Sequence, residues 1–222
     1  MLTFSKFFVA AFDNNNHDIL LNNNQIVSPN NVSMSITDCS GFVNALLKKS
    51  YNLSSISNNW LGVPRPYAST YYRAIMSETY FKKITNINDA NIGDFIVFRI
   101  LPGTSKSDNT GHIMLINQQP ILMRSQPPII TENHTLITNS RLENNTILPK
   151  TLQWTVNIID QSSEHGPTDS RYPNKTGLGT GNFRIYTDHA GNLQGYSWST
   201  QPNSKYIDHS VHPLVIGHLD II

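Results

Sequence analysis

Cysteine is almost absent from this 222-residue chain: Cys39 stands alone. A single cysteine excludes an internal disulfide framework and any metal site built on several thiolates. Charge is also sparse, at 14% Asp, Glu, Lys and Arg, and the formal net charge is +1. No basic run appears, so neither nucleic acid nor an anionic membrane surface is expected as the main partner. No stretch approaches the ~20 apolar residues of a transmembrane helix, so no transmembrane segment is expected. The apolar run Phe7-Phe8-Val9-Ala10-Ala11-Phe12 after Lys6 is shorter than a usual signal-peptide core and lacks a clear cleavage site. It reads as part of a buried first helix.

Two further patterns exclude more than they offer. The eight histidines, His17, His112, His134, His165, His189, His209, His212 and His218, are scattered, and only His209 and His212 lie close together. Neither helical spacing nor a glutamate partner supports zinc there, so no metal and no cofactor is expected. The run Gly177-Leu178-Gly179-Thr180-Gly181 lacks the Lys-Ser/Thr of a phosphate loop, and no helix pattern follows it. It reads as a flexible connection.

What is present describes one domain over 1–222, long enough for a proper core. It has a polar, Asn-rich lead-in (1–34) and a polar segment at 125–150, too long for a hairpin loop and read as an insertion. Residues 50–90 read as mainly helical, with Trp60, Tyr67, Tyr71, Tyr72 and Ile75 as anchors behind Pro64 and Pro66. From Ile92 the pattern changes to strands. Phe95–Ile100 and Gly111–Ile116 read as an antiparallel pair, and Trp154–Asp160 as a third strand. Phe183–Thr187 with Leu193–Trp198 reads as a hairpin, and Leu214–Leu219 as the closing strand. Helices followed by antiparallel strands predict an α+β domain with segregated layers.

The most informative stretch is Thr37-Asp38-Cys39-Ser40-Gly41-Phe42-Val43-Asn44-Ala45-Leu46-Leu47. Phe42, Val43, Leu46 and Leu47 recur at the spacing of one helix face. Thr37 or Asp38 suits the N-cap, and Lys48 and Lys49 suit the far end of the dipole. Cys39 would then lie in the first turn, where unpaired N–H groups and the dipole favour a nucleophilic thiolate. The competing reading of a lone cysteine is a buried core residue.

Asp38-Cys39-Ser40-Gly41-Phe42-Val43 resembles the cysteine motif of the NlpC family of papain-like cysteine peptidases. Gly93-Asp94-Phe95-Ile96-Val97-Phe98 is similar to that family's second motif, and Thr110-Gly111-His112-Ile113-Met114-Leu115-Ile116 to its histidine strand. Three ordered motifs are far more specific than any one. The likeness covers about 35–120, extends more weakly to 154–170, and leaves 175–222 unplaced. It implies a papain-like NlpC-type fold, with the nucleophile helix packed on a central antiparallel β-sheet.

It also implies roles. Cys39 would be the nucleophile and His112, 73 residues later, the general base and acid. Asp160, ending the next strand, would orient the imidazole, with His134 and His165 as competitors for that place. Asp38 and Ser40 would contribute to a substrate subsite, for which helix capping is the bland alternative. Gly111, Tyr67 and His165 are further cleft candidates, and His218, also preceded by glycine, is a decoy for the catalytic histidine. The implied activity is cleavage of bacterial cell-wall stem peptides, so the expected partner is a peptide or peptidoglycan fragment and export to the periplasm or the extracellular space is expected. The alternatives are an amidase, deamidase or acyltransferase on another substrate, and a catalytically silent wall-binding module.

Overall fold

The computed structural model describes residues 20–22, 25–27, 38–51, 60–101, 110–125, 127–131, 136–137, 141–143, 146–148 and 151–221. The expected first helix at 1–12, Thr37 as a cap, and His17 and His134 lie outside the described residues. So do the loop at 102–109 and much of 125–150.

Two α-helices are described, α1 (Cys39–Ser50) and α2 (Ala68–Met76), with one 3-10 turn at Ile87–Asp89. The strands in chain order are β1 (Leu20–Asn22), β2 (Gln25–Val27), β3 (Phe81–Ile84), β4 (Phe95–Arg99) and β5 (Gly111–Ile116), then β6 (Ile121–Leu122), β7 (Ile129–Ile130), β8 (Leu136–Ile137), β9 (Arg141–Glu143) and β10 (Thr146–Leu148). After them come β11 (Leu152–Ser163), β12 (Thr176–Thr187), β13 (Leu193–Ser197), β14 (Tyr206–Asp208) and β15 (Leu214–Leu219). Nine of these form one sheet in the order β14-β13-β12-β11-β5-β4-β15-β3, with β6 also pairing β11. Its ladders are antiparallel. The pairs β1–β2, β7–β8 and β9–β10 are separate small hairpins, the last two within the segment read as an insertion.

Alternation along the strands buries both faces of the sheet. Phe95, Val97, Ile113, Leu115, Ile159 and Val215 join Phe42, Val43, Leu47, Tyr71 and Ile75 of the helices in one core. Ile96, Met114, Ile116, Val156, Ile158 and Ile216 join Phe183, Ile185 and Tyr196 in the other. The second core is made mainly by the sheet's own strands, with Ile87 and Ala90 from the turn before β4, and the Phe98 ring stacks on Tyr196 at 4.5 Å between centroids. Each fully buried side chain of this size stabilises the fold by about 1.5–3 kcal/mol relative to exposure.

This architecture overturns the α+β, papain-like expectation. Among the described residues the molecule is a β-rich fold: nine strands in one antiparallel sheet, and two α-helices of 12 and 9 residues. Two local causes account for the misreading. The aromatic anchors of 50–90 suggest a mainly helical stretch, yet among its described residues beyond α1 the only α-helix is Ala68–Met76, followed by β3 and a single 3-10 turn at Ile87–Asp89. Pro64 and Pro66 precede α2, and prolines disfavour helix in the residues before them. After it the Ser77 hydroxyl bonds back to the Arg73 carbonyl at 3.0 Å. Glu78 and Tyr80 then adopt φ of 53° and 59°, turning the chain into β3. The second cause is the glycine-rich run. Read as a flexible connection, it lies instead within β12, which pairs with β11 residue for residue over twelve positions.

Candidate active site

Asp38 caps α1 as its sequence position suggests. Its Oδ1 accepts the Gly41 N–H at 2.7 Å and the Ser40 hydroxyl at 3.0 Å, while its carbonyl accepts the Phe42 N–H at 3.0 Å. Cys39, the first residue of the helix, is half-buried at the margin of the helix-side core. Lys48 and Lys49 occupy the last turn, where positive charge complements the dipole.

His112 enters from the second residue of β5, paired across from Phe98 of β4. Gly111 makes that approach possible. Its φ is +127°, and a Cβ there would collide with the carbonyl oxygen of Phe98. The His112 ring lies 5.9 Å from the Phe98 ring and 5.2 Å from the Trp198 indole, and the residue is 8% exposed. Its Nε2 meets Asp160 Oδ2 at 2.6 Å, and the Cys39 side chain is near enough to act on the same ring. Burial alone would push the imidazole down, but Asp160 and Cys39 outweigh it and raise the pKa to about 9. The structure therefore brings Cys39, His112 and Asp160 together from α1, β5 and β11.

Asp160 has no solvent exposure. Burial favours its neutral form, yet hydrogen bonds from His112 and His165 hold the carboxyl far below the usual carboxylate range. Ser162 Oγ donates to Oδ2 at 2.7 Å, and the Arg171 guanidinium lies 2.8 Å from Oδ1. Arg171 is itself fixed by two parallel bonds to Asp169, at 2.8 and 2.7 Å. Such bidentate charge-assisted pairs are short and directional.

The other expected site residues fall into three places. Asp38 and Tyr67 share a rim beside Cys39. Arg65 bonds Asp38 Oδ2 at 2.8 Å and its guanidinium sits 4.8 Å from the Tyr67 ring centroid, with Tyr67 45% exposed. Ser40 is buried and directed at Asp38, the geometry of capping. His165 is buried behind Asp160 and does not line the cleft. His218 bonds Asp94 Oδ1 at 2.7 Å from β15, a strand between β4 and β3.

Among curated proteins, the chain is 43% identical over 196 residues to "Uncharacterized protein R653" of Acanthamoeba polyphaga mimivirus, covering 86% of this chain and 80% of that one. The chain belongs to that protein's family. No family model and no solved structure matches it.

Four residues of this family member's site escape a reading by motif: Ser162, Asp169, Arg171 and Trp198. Arg171 and Asp169 sit in a stretch whose glycines and prolines suggest only a loop. Their signal is burial of opposite charges, at 3% and 5% exposure, which sequence does not display. Trp198 ends the β12–β13 hairpin and donates its Nε1–H to the Glu164 carbonyl at 3.0 Å. Among the described residues no helix is long and apolar enough to cross a membrane.

Proposed function

We propose that the protein is a cysteine-dependent amide hydrolase acting through Cys39, His112 and Asp160. One observation carries the reading. A solvent-free carboxylate meets one nitrogen of a buried imidazole at 2.6 Å, and the cysteine at the start of a helix is among the groups that raise that imidazole's pKa. The three motifs that resemble the NlpC family contribute the cysteine and the histidine, and Asp160 follows on the next long strand.

In this mechanism His112 takes the thiol proton and Cys39 Sγ attacks the amide carbonyl carbon. The carbonyl oxygen becomes an oxyanion, facing first-turn N–H groups that lack partners within the helix, that of Cys39 among them. Collapse breaks the C–N bond as His112 returns its proton to the leaving amine. Water, deprotonated by His112, then cleaves the thioester and regenerates the thiol. Asp160 fixes the ring tautomer and stabilises the imidazolium throughout.

Alkylation of Cys39 followed by intact-mass spectrometry tests this before any substrate is known. Labelling that is fast well below the ordinary thiol range of ~8.5, and lost or shifted in His112→Ala, is the expected result. An ordinary thiol profile in both proteins would sink the pairing and leave Cys39 a core residue. The motif resemblance directs the first substrate test to peptidoglycan stem peptides. New free amino groups in the digest, by mass spectrometry, support a wall peptidase. An unchanged digest moves the search to other amides or acyl acceptors.

A further inference from the structure

His165 is the second imidazole of the site, and the catalytic scheme above gives it nothing to do. It is 1% exposed, so it is out of reach of a substrate. Its Nε2 lies 3.0 Å from Asp160 Oδ2, the same oxygen that holds His112. Its Nδ1 lies 2.6 Å from the Trp198 carbonyl oxygen. A carbonyl oxygen only accepts, so Nδ1 donates to Trp198, while Nε2 faces both Asp160 Oδ2 and, at 3.4 Å, the Ser162 hydroxyl.

Every other degree of freedom of this ring is also occupied. Its backbone N–H donates to Asp169 Oδ2 at 2.8 Å. Its face stacks on the Trp198 indole at 4.2 Å, and its edge meets Phe183 at 6.1 Å. The space behind it is closed by Gly181, where a Cβ would come within 2.8 Å of His165 Cβ and would strike Asp169 Oδ2. The charged and polar groups gathered here are Asp160, Asp169, Arg171, Ser162 and His112. A side chain with a preferred partner at both nitrogens, a stacked face and no exposure is built to hold a position.

We propose that His165 is the positioning residue of this site: it grips Asp160 from behind and keeps Oδ2 aimed at His112. The inference rests on the amide-hydrolase reading, because positioning matters only if the His112–Cys39 pair reacts. Without His165, Asp160 is free to swing toward Ser162 and Arg171, which already hold it at 2.7 and 2.8 Å. His112 would then lose its partner for part of the time, and the thiolate–imidazolium pair would weaken. The β12–β13 hairpin, lying outside the motif resemblance, thus serves the site through Trp198, whose carbonyl and indole fix His165.

The test compares wild type, His165→Asn and His165→Gln by the pH profile of Cys39 alkylation, with thermal midpoints measured in parallel. Asparagine offers its amide near the Nδ1 position and keeps the Trp198 carbonyl. Glutamine offers its amide near the Nε2 position and keeps Asp160. Labelling near pH ~6 is expected to fall about tenfold in His165→Asn, the size usual for loss of an orienting partner, and to return to within about threefold in His165→Gln. The limb on which His112 loses its proton is expected to move to lower pH in His165→Asn only. A wild-type profile in His165→Asn overturns the proposal while leaving the hydrolase reading intact. Equal losses in both variants, in step with their thermal midpoints, also overturn it, since packing alone behaves that way. An ordinary thiol profile in the wild type removes the hydrolase reading and this proposal with it. Should His165→Asn not fold, His165→Gln decides: near-wild-type labelling supports the proposal, and a tenfold loss at an unchanged midpoint overturns it.

Discussion

Asp160 and His112 titrate in opposite directions, and folding stability must carry both signatures. A carboxyl held below its ordinary 3.8 contributes stability that is present above that value and is lost as pH falls toward the folded value. An imidazole raised from 6.5 to about 9 contributes stability that is complete below 6.5 and disappears as pH rises through 9. For His112 the most this can amount to is on the order of 3 kcal/mol. Other shifted groups, such as Asp38 and His209, contribute to the absolute curve, so the informative quantity is a difference. The thermal midpoint of wild type minus that of His112→Gln should be constant between about pH 4 and 6.5 and shrink between 6.5 and 9. A difference that does not change over that window would mean the imidazole is not coupled to Asp160 and Cys39.

Among the elements, β12 shows what glycine is for in this fold. Gly179 lies directly across from Asp160, and Gly181 across from Ile158, on one side of the strand. A Cβ at Gly179 would come within 2.6 Å of Arg171 Nε, and one at Gly181 within 3.0 Å of His165 Cδ2. The missing side chains make room for the layer that holds Asp160. Gly181→Ala is therefore expected to destabilise by about 1–3 kcal/mol, the usual cost of overpacking, and to slow Cys39 labelling at low pH. Urea denaturation and the labelling profile measure the two effects. A variant as stable and as reactive as wild type would show that this layer yields easily. The same element marks where sequence reading stops. The β4–β5 pair, the capped cysteine helix and the β12–β13 hairpin were legible because apolar alternation and capping chemistry are local. The strand character of 176–182 was not, because glycine is a poor strand former whose use here depends on residues packed from outside the strand. Asp160 was singled out as the acid ending its strand, although β11 runs on to Ser163, whereas Arg171 and Asp169 owe their role to burial and to each other.

Within the molecule as a whole, β15, the last described strand in chain order, lies inside the sheet and not at its edge. β15 lies between β4 and β3, pairing Ile216 with Ile96 on one side and with Ile84 on the other. Leu214, Val215, Ile216 and Leu219 are 1%, 2%, 0% and 8% exposed. At about 1.5–3 kcal/mol for each, their burial is comparable to the 5–15 kcal/mol by which a whole domain is usually stable. Gly217 adds a second constraint, since a Cβ there would come within 2.6 Å of Ile75 Cγ1 on α2. The strand is wedged under the helix as well as between its neighbours. A motif-based view, in which the functional unit ends near residue 170, makes the remainder an appendage that could be removed. The sheet order makes the opposite prediction. Deleting 214–222 should leave β3 without its partner and β4 with an open edge, and should abolish the cooperative unfolding transition seen by circular dichroism in urea. If the shortened chain instead unfolds cooperatively near the wild-type midpoint and still labels fast at low pH, then β15 is a covering strand and the site is held by β5, β11 and α1 alone.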